Sequence, residues 1–386
     1  MSRITIFGAG SVGRGFIGQI FSEAGWRVTF VDTDAALIAA LNTGSYRHVT
    51  LSDQYSEERL VTGVEAVDGR DVEGVAAAVA SADFLATAVG AANMKYIAPA
   101  LAEGLRRRAA AEGGPLDIML AENLHNASKV LRDLLAETLG EDAGEVLASV
   151  GVLETSIGRM IPVPSAERRA EDPSWIAVEP YRELPFDCAA ARAPLPDVPD
   201  LLCRRDIPFA FYSDRKLYLH NLGHCLTAYL GELMGDEEIA DAIRRPEVFR
   251  RVHMVMDTAA RALSLEYGEP LDSVRSNVED LLRRFANRAL HDTVERVGRD
   301  PQRKMAEGDR FLGALALAAK HGMARPVTIA VAIGTHKLLA TVSPSSRETE
   351  RTRIRESVLR VAGGDELAAL DDAMASLAVG RLPDPR

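Results

Sequence analysis

The run Arg3-Ile4-Thr5-Ile6-Phe7-Gly8-Ala9-Gly10-Ser11-Val12-Gly13 decides the fold. Five residues rich in β-branched and aromatic side chains read as a strand, and a G-x-G-x-x-G hexapeptide follows, with a helix expected over 12–24. Each glycine has its own task in such a strand–turn–helix. Gly8 permits the tight turn, Gly10 lets backbone amides approach a pyrophosphate, and Gly13 lets the helix pack against the strand. Ala9, Ser11 and Val12 complete the loop, and the helix start presents unpaired N–H groups to an anion. A second strand over 27–31 ends at Asp32, 19 residues after Gly13. A carboxylate there accepts hydrogen bonds from a ribose diol and repels a 2′-phosphate, so NAD is favoured over NADP. The bland alternative is a glycine-rich turn with Asp32 capping a helix at Ala35; strand, helix and acid in one ordered set argue for dinucleotide binding.

Outward from this loop, strands and helices alternate. Strands are expected over 82–89, 116–121 and 150–153, and helices over 35–42, 97–111 and 126–139, the pattern of a parallel sheet. Residues 162–208 hold half of the chain's 18 prolines. Proline removes a donor and fixes φ, so this is a crossing segment with short strands. Beyond Arg215, apolar residues recur at three- and four-residue spacings over 217–234, 248–263, 274–285, 311–320 and 327–339, which predicts helices. The charge run 347–355 reads as a solvated helix face. The fold class is therefore α/β: an N-terminal Rossmann-type parallel sheet with its crossing segment (1–205), then a mainly α-helical domain (206–386). A length of 386 residues suits two such domains.

Composition narrows the partners. Lys and Arg number 45 against 56 Asp and Glu, a net charge of −11, which disfavours nucleic acid and anionic membranes. No stretch approaches the ~18 apolar residues of a membrane span. The three cysteines, Cys188, Cys203 and Cys225, are too few for a disulfide framework and lie in no zinc pattern, as in a reducing compartment. A soluble, cytoplasmic protein without a metal site is expected, as a monomer or weak homodimer.

Two further stretches carry chemistry. In Lys216-Leu217-Tyr218-Leu219-His220-Asn221-Leu222-Gly223-His224, helical spacing puts Asn221 and His224 on one face with Lys216 about one turn back. A carbonyl reduced to an alkoxide needs a proton donor with flanking hydrogen bonds, and a desolvated lysine serves as one. The competing reading is a helix start with a snorkelling lysine and a core-edge histidine. Arg296-Val297-Gly298-Arg299-Asp300-Pro301-Gln302-Arg303-Lys304 gathers four cations in an acidic chain. Arginine forks suit phosphate oxygens; a basic surface turn paired with Asp292, Glu295 and Asp300 is the alternative.

The ordered set Phe7-Gly8-Ala9-Gly10, Gly13-Arg14-Gly15-Phe16-Ile17-Gly18, Thr87-Ala88-Val89-Gly90, Glu122-Asn123, Arg159-Met160-Ile161-Pro162 and Lys216-x4-Asn221-x2-His224 resembles the polyol-specific long-chain dehydrogenases. The resemblance implies Lys216 as catalytic acid/base in place of a metal, with Asn221 and His224 holding the substrate oxygen. It implies Asn123 beside the nicotinamide and substrate, Glu122 as a proton relay from Lys216, and Thr87, Val89 and Gly90 in the cofactor site. It further implies that Arg296 and Lys304 line the substrate site and that Arg299 marks a phosphorylated substrate. The expected activity is NAD-dependent interconversion of mannitol 1-phosphate and fructose 6-phosphate. The alternatives are the same chemistry on an unphosphorylated polyol or hexuronate, and a non-catalytic NAD sensor. Gly158 stands where the family carries an aspartate, and Arg288 where it carries a proline.

Overall fold

The computed structural model describes residues 1–122, 124 and 126–384, which form two compact units, Met1–Phe209 and Ala210–Arg386. The strands of the first unit are β1 (Arg3–Phe7), β2 (Arg27–Asp32), β3 (Ser45–Leu51), β4 (Ser56–Thr62), β5 (Val64–Asp68), β6 (Phe84–Thr87), β7 (Leu116–Leu120), β8 (Val150–Glu154) and β9 (Ile176–Val178). Six of them make one parallel sheet in the order β5-β2-β1-β6-β7-β8. The chain winds outward from β1 in one direction, then returns to β6 and winds in the other. That reversal leaves a crevice at the carboxyl ends of β1 and β6, where ligands of such sheets bind.

Alternation along the strands builds a core on each face of this sheet. Ile4, Ile6, Phe16, Phe30 and Phe84 pack on one side. Phe7, Val31, Leu85, Leu101, Ile118 and Leu120 pack on the other. Residues 43–81, for which the sequence offers no element, form the antiparallel pair β3–β4, then β5 and a helix, Val72–Ala80. β3 also pairs in parallel with β9.

The proline-rich segment is built of short strands, as its composition requires. It also corrects one reading. Leu184–Pro185 and Leu201–Leu202 pair in parallel, and Cys188 and Cys203 follow shortly after them. That pairing sets their Cα atoms 5.7 Å apart, within disulfide reach, and the two are joined. The cysteine count could not show this, because the pairing lies in the tertiary fold.

The second unit is helical throughout. Its longest helix, Pro246–Tyr267, starts with proline at its first position and ends at Gly268 with φ +73°. Val248, Val252, Val255, Met256, Ala259 and Leu263 form its buried stripe. The charge run lies on Arg347–Ala362, followed by Gly364–Ala378. Among the described residues no helix is long and apolar enough to cross a membrane.

Candidate active site

The glycine loop fulfils its three tasks in distinct ways. Gly8 has φ +92°, and a Cβ on it would lie 2.4 Å from the Ala88 carbonyl oxygen. A Cβ on Gly13 would lie 1.9 Å from the Gly8 oxygen, whereas one on Gly10 would meet no protein atom within 4 Å. Gly8 and Gly13 thus serve the fold, and Gly10 keeps a face open. The helix expected from residue 12 begins instead with a π-helical turn, Gly13–Gly18, continuing as α-helix over Gln19–Glu23. A wider turn misaligns backbone carbonyls, and buried side chains take them up. Tyr46 Oη donates to the Arg14 oxygen at 2.6 Å. Arg159 Nη1 donates to the Gly15 oxygen at 3.0 Å and to Gln19 Oε1 at 2.7 Å.

Asp32 ties the end of β2 to this loop. One carboxylate oxygen accepts the Ala9 N–H at 2.8 Å, and the other accepts those of Thr33 and Asp34 at 2.7 and 3.0 Å. A carboxylate offers about four acceptor directions, so capacity for a further hydroxyl donor remains. A groove of about 550 Å³ opens here, lined among others by Gly8, Gly10, Asp32, Thr33, Arg70 and Tyr96. An open glycine face, a helix start and an acceptor carboxylate fit a dinucleotide.

At the next strand end, both carboxylate oxygens of buried Glu122 accept backbone N–H groups, Val89 at 3.0 Å and Gly90 at 2.8 Å. Gly90 has φ +85°, a conformation that suits glycine alone. Glu122 therefore clamps the Val89–Gly90 turn, a task that the proton-relay expectation did not include. Thr87 is fully buried, and its Oγ1 has no partner among the described residues. Asn123 lies outside the described residues.

In the second unit the lysine stretch is a π-helical turn, Lys216–Asn221, leading into the α-helix Leu222–Met234. The Leu222 N–H reaches back five residues to the Leu217 carbonyl. This changes the expected geometry. On a straight α-helix Lys216 and Asn221 would point about 140° apart. A turn closed by five-residue bonds instead stacks residue 221 roughly over residue 216, so Lys216, Asn221 and His224 follow one another along one side.

Burial, and then the Arg310 guanidinium, lowers the Lys216 ammonium from 10.5 to about 8. His220 is buried and held neutral by desolvation, reinforced by Arg284, His224 and Lys216. The His224 ring stacks on Phe285, with centroids 4.8 Å apart and planes 8° from parallel. Its Nε2 lies 3.0 Å from Asp292 Oδ2, an ion-pair contact rather than an aligned hydrogen bond. Arg296 Nη2 holds the other oxygen of Asp292 at 2.6 Å. Burial raises the Asp292 carboxyl, but His224 and Arg296 outweigh it and hold it below its usual value.

The basic run 296–304 does not act as one patch. Arg296 joins the His224–Asp292 group. Lys304 is buried, donates to the Val297 carbonyl, and is lowered by desolvation. Arg299 is exposed, lies 3.5 Å from Glu295, and lines a separate groove with Glu232, Asp236 and Lys337. None of Lys216, His224 or Lys304 lines that groove. Arg284 and Arg310 are residues of this site that the sequence reading missed, and Asp292 entered it only as a surface partner of the basic run. Nothing in a one-dimensional pattern marks an arginine as buried.

A Rossmann-type sheet in one unit and a half-buried lysine with a lowered pKa on a helical turn in the other define a two-part, dinucleotide-dependent oxidoreductase. Residues 2–199 match the mannitol dehydrogenase Rossmann domain and residues 209–351 the mannitol dehydrogenase C-terminal domain. The chain belongs to the mannitol dehydrogenase family. A mannitol-1-phosphate 5-dehydrogenase of Brevibacillus brevis is 33% identical over 318 residues, 82% of this chain and 81% of that protein. Two solved structures share the fold. Pseudomonas fluorescens mannitol 2-dehydrogenase, in a ternary complex with NAD and D-mannitol, has a TM-score of 0.72 at 16% identity, covering 98% of this chain and 92% of that one. A D-sorbitol dehydrogenase in substrate-free form has a TM-score of 0.78 at 15% identity, covering 97% and 93%.

Proposed function

We propose that the chain is an NAD-dependent polyol oxidoreductase that interconverts mannitol 1-phosphate and fructose 6-phosphate, with Lys216 as acid/base. The observation that carries the chemistry is the half-buried Lys216, lowered to about 8, on a widened turn that runs through Asn221 into the helix bearing His224. The sugar phosphate is supported by the likeness to the Brevibacillus brevis protein and by the cations Arg284, Lys304 and Arg310 in the second unit.

NAD, when bound, takes up the hydride of the alcohol carbon. Gly8, Ala9, Gly10, Ser11, Val12 and Gly13 would cradle its pyrophosphate and Asp32 its ribose. Thr87 and the Glu122-clamped turn at Val89 and Gly90 complete that side. In the second unit, neutral Lys216 accepts the hydroxyl proton, and in the reverse direction the ammonium protonates the ketose oxygen. Asn221 donates a side-chain hydrogen bond to the same oxygen. His224, fixed between Phe285 and Asp292, limits where that oxygen can sit.

The same chemistry on an unphosphorylated polyol is the second reading, favoured by the exposed position of Arg299 outside the lysine group. NADH oxidation with fructose 6-phosphate and with fructose separates the two. A clear preference for the phosphorylated ketose supports the first, and equal or better use of fructose overturns it. Loss of turnover in Lys216→Ala with NAD binding retained supports the assigned chemistry; full activity removes Lys216 from it.

A further inference from the structure

A phosphate needs donors that the protein has left uncommitted, and the arginines of the 296–304 run are already engaged. The Arg296 fork is taken by Asp292 through Nε and Nη2, at 2.8 and 2.6 Å. Arg303 is paired with Asp300 at 2.8 Å, and Arg299 faces Glu295. Lys304 points at a backbone carbonyl.

Arg310 differs. Its residue is only 9% exposed, yet its sole side-chain hydrogen bond among the described residues runs from Nε to Asp309 Oδ1 at 2.9 Å. Nη1 and Nη2 have no such bond, and neither is sealed from solvent. Asp309 thus fixes the plane of the guanidinium and leaves its outer pair of N–H donors open. The backbone places this group firmly. Phe311 stacks on Tyr229 of the helix Leu222–Met234, with centroids 5.8 Å apart. Gly313 sits against the Tyr218 hydroxyl of the lysine turn, so close that a Cβ would come within 2.7 Å of it. Arg310 is therefore wedged between that turn and that helix.

Two further cations, Arg284 and Lys216, act with Arg310 on the same buried ring of His220, and the carboxylate bonded to the Arg310 side chain, Asp309, is engaged at Nε alone. In a chain of net charge −11 such a gathering of cations favours an anion. A planar guanidinium with two parallel free donors matches two oxygens of one phosphate.

We infer that Arg310, through Nη1 and Nη2, grips the phosphate of the substrate. The inference rests on the reading of the substrate as a sugar phosphate and names the residue that reads it.

The test measures kcat and KM with fructose 6-phosphate and with fructose for the wild type, Arg310→Gln and Arg310→Lys, and the thermal shift given by inorganic phosphate. In Arg310→Gln, kcat/KM for fructose 6-phosphate falls about 10- to 100-fold, chiefly through KM, as expected for a lost charged hydrogen-bond pair. The ratio of the two substrates falls with it, and inorganic phosphate no longer raises Tm. Arg310→Lys keeps the charge without the fork and recovers part of the ratio. Should Arg310→Gln not fold, Arg310→Lys alone decides, because its ratio must still fall below that of the wild type. If both substrates suffer equally, or phosphate still protects the Gln variant, the inference is wrong while the sugar-phosphate reading stands. If the wild type itself ignores the phosphate of fructose 6-phosphate, the reading falls and takes the inference with it.

Discussion

Asp292 stands between a histidine and an arginine, 3.0 Å from Nε2 of His224 on one side and 2.6 Å from Nη2 of Arg296 on the other. The carboxylate orients the histidine, and the exposed arginine holds the carboxylate. Asp292→Asn removes the charge and leaves the ring free to turn, so kcat/KM drops about tenfold or more and stability falls by about 1–3 kcal/mol. Because the Asp292 carboxyl is lowered in the folded state, its contribution is present above the unfolded value near 3.9 and is lost as pH falls through the folded one. The stability gap between wild type and Asn variant, measured by urea unfolding, closes as pH drops below about 4.

Lys216 gives a slope of the same sign at the other end of the pH scale, although here it is the charged form that folding disfavours. Its folded value of about 8 lies below the unfolded value of about 10.4, so the folded protein releases a proton that the unfolded chain keeps. Stability therefore rises with pH between those two values. Polyol oxidation rises through about pH 8 as the amine becomes neutral, and ketose reduction declines over the same range. Lys216→Met abolishes both reactions and stabilises the protein at pH 7 by up to about 3 kcal/mol. A pH–rate profile flat between 7 and 9 would count against the assignment.

Two glycines of one loop should fail differently. An alanine at 10 meets no protein atom within 4 Å, so Tm without cofactor stays within about 1 °C while the Kd for NAD rises tenfold or more. An alanine at 13 collides with the Gly8 carbonyl at 1.9 Å, so the protein itself loses several kcal/mol, about 3 or more. Thermal melts with and without NAD distinguish the two patterns.

Glu122 offers a contrast between holding a turn and passing a proton. Glu122→Gln keeps one acceptor and turns a donor against either the Val89 or the Gly90 N–H. The expected result is about 1–2 kcal/mol of lost stability, faster hydrogen exchange at those amides and a raised KM for NAD. A change confined to the pH profile of kcat would mean that the clamp is incidental.

The glycine loop was legible because turn chemistry and strand alternation are local, and both are written in consecutive residues. Helices of the second unit were legible for the same reason, through their apolar spacing. The two π-helical turns were not, since 216–221 reads as ordinary helix and the three glycines within 13–18 mark backbone freedom without specifying its bond pattern. The placement of Arg299 was not legible, because its spacing from Arg296 says nothing of Gly298, where the short helix Val294–Gly298 ends. Arg310 was invisible because its value lies in burial and in a single aspartate neighbour, both properties of the folded chain.

The widened turn before Leu222 also bears on how such chains can change over time. Removing one residue between 216 and 221 would restore ordinary winding and leave Lys216 and Asn221 four positions apart, about 40° round the helix. A one-codon deletion in this short interval would close the widened turn and keep the amine and the amide near one side, so the extra residue is an insertion that the helix has absorbed.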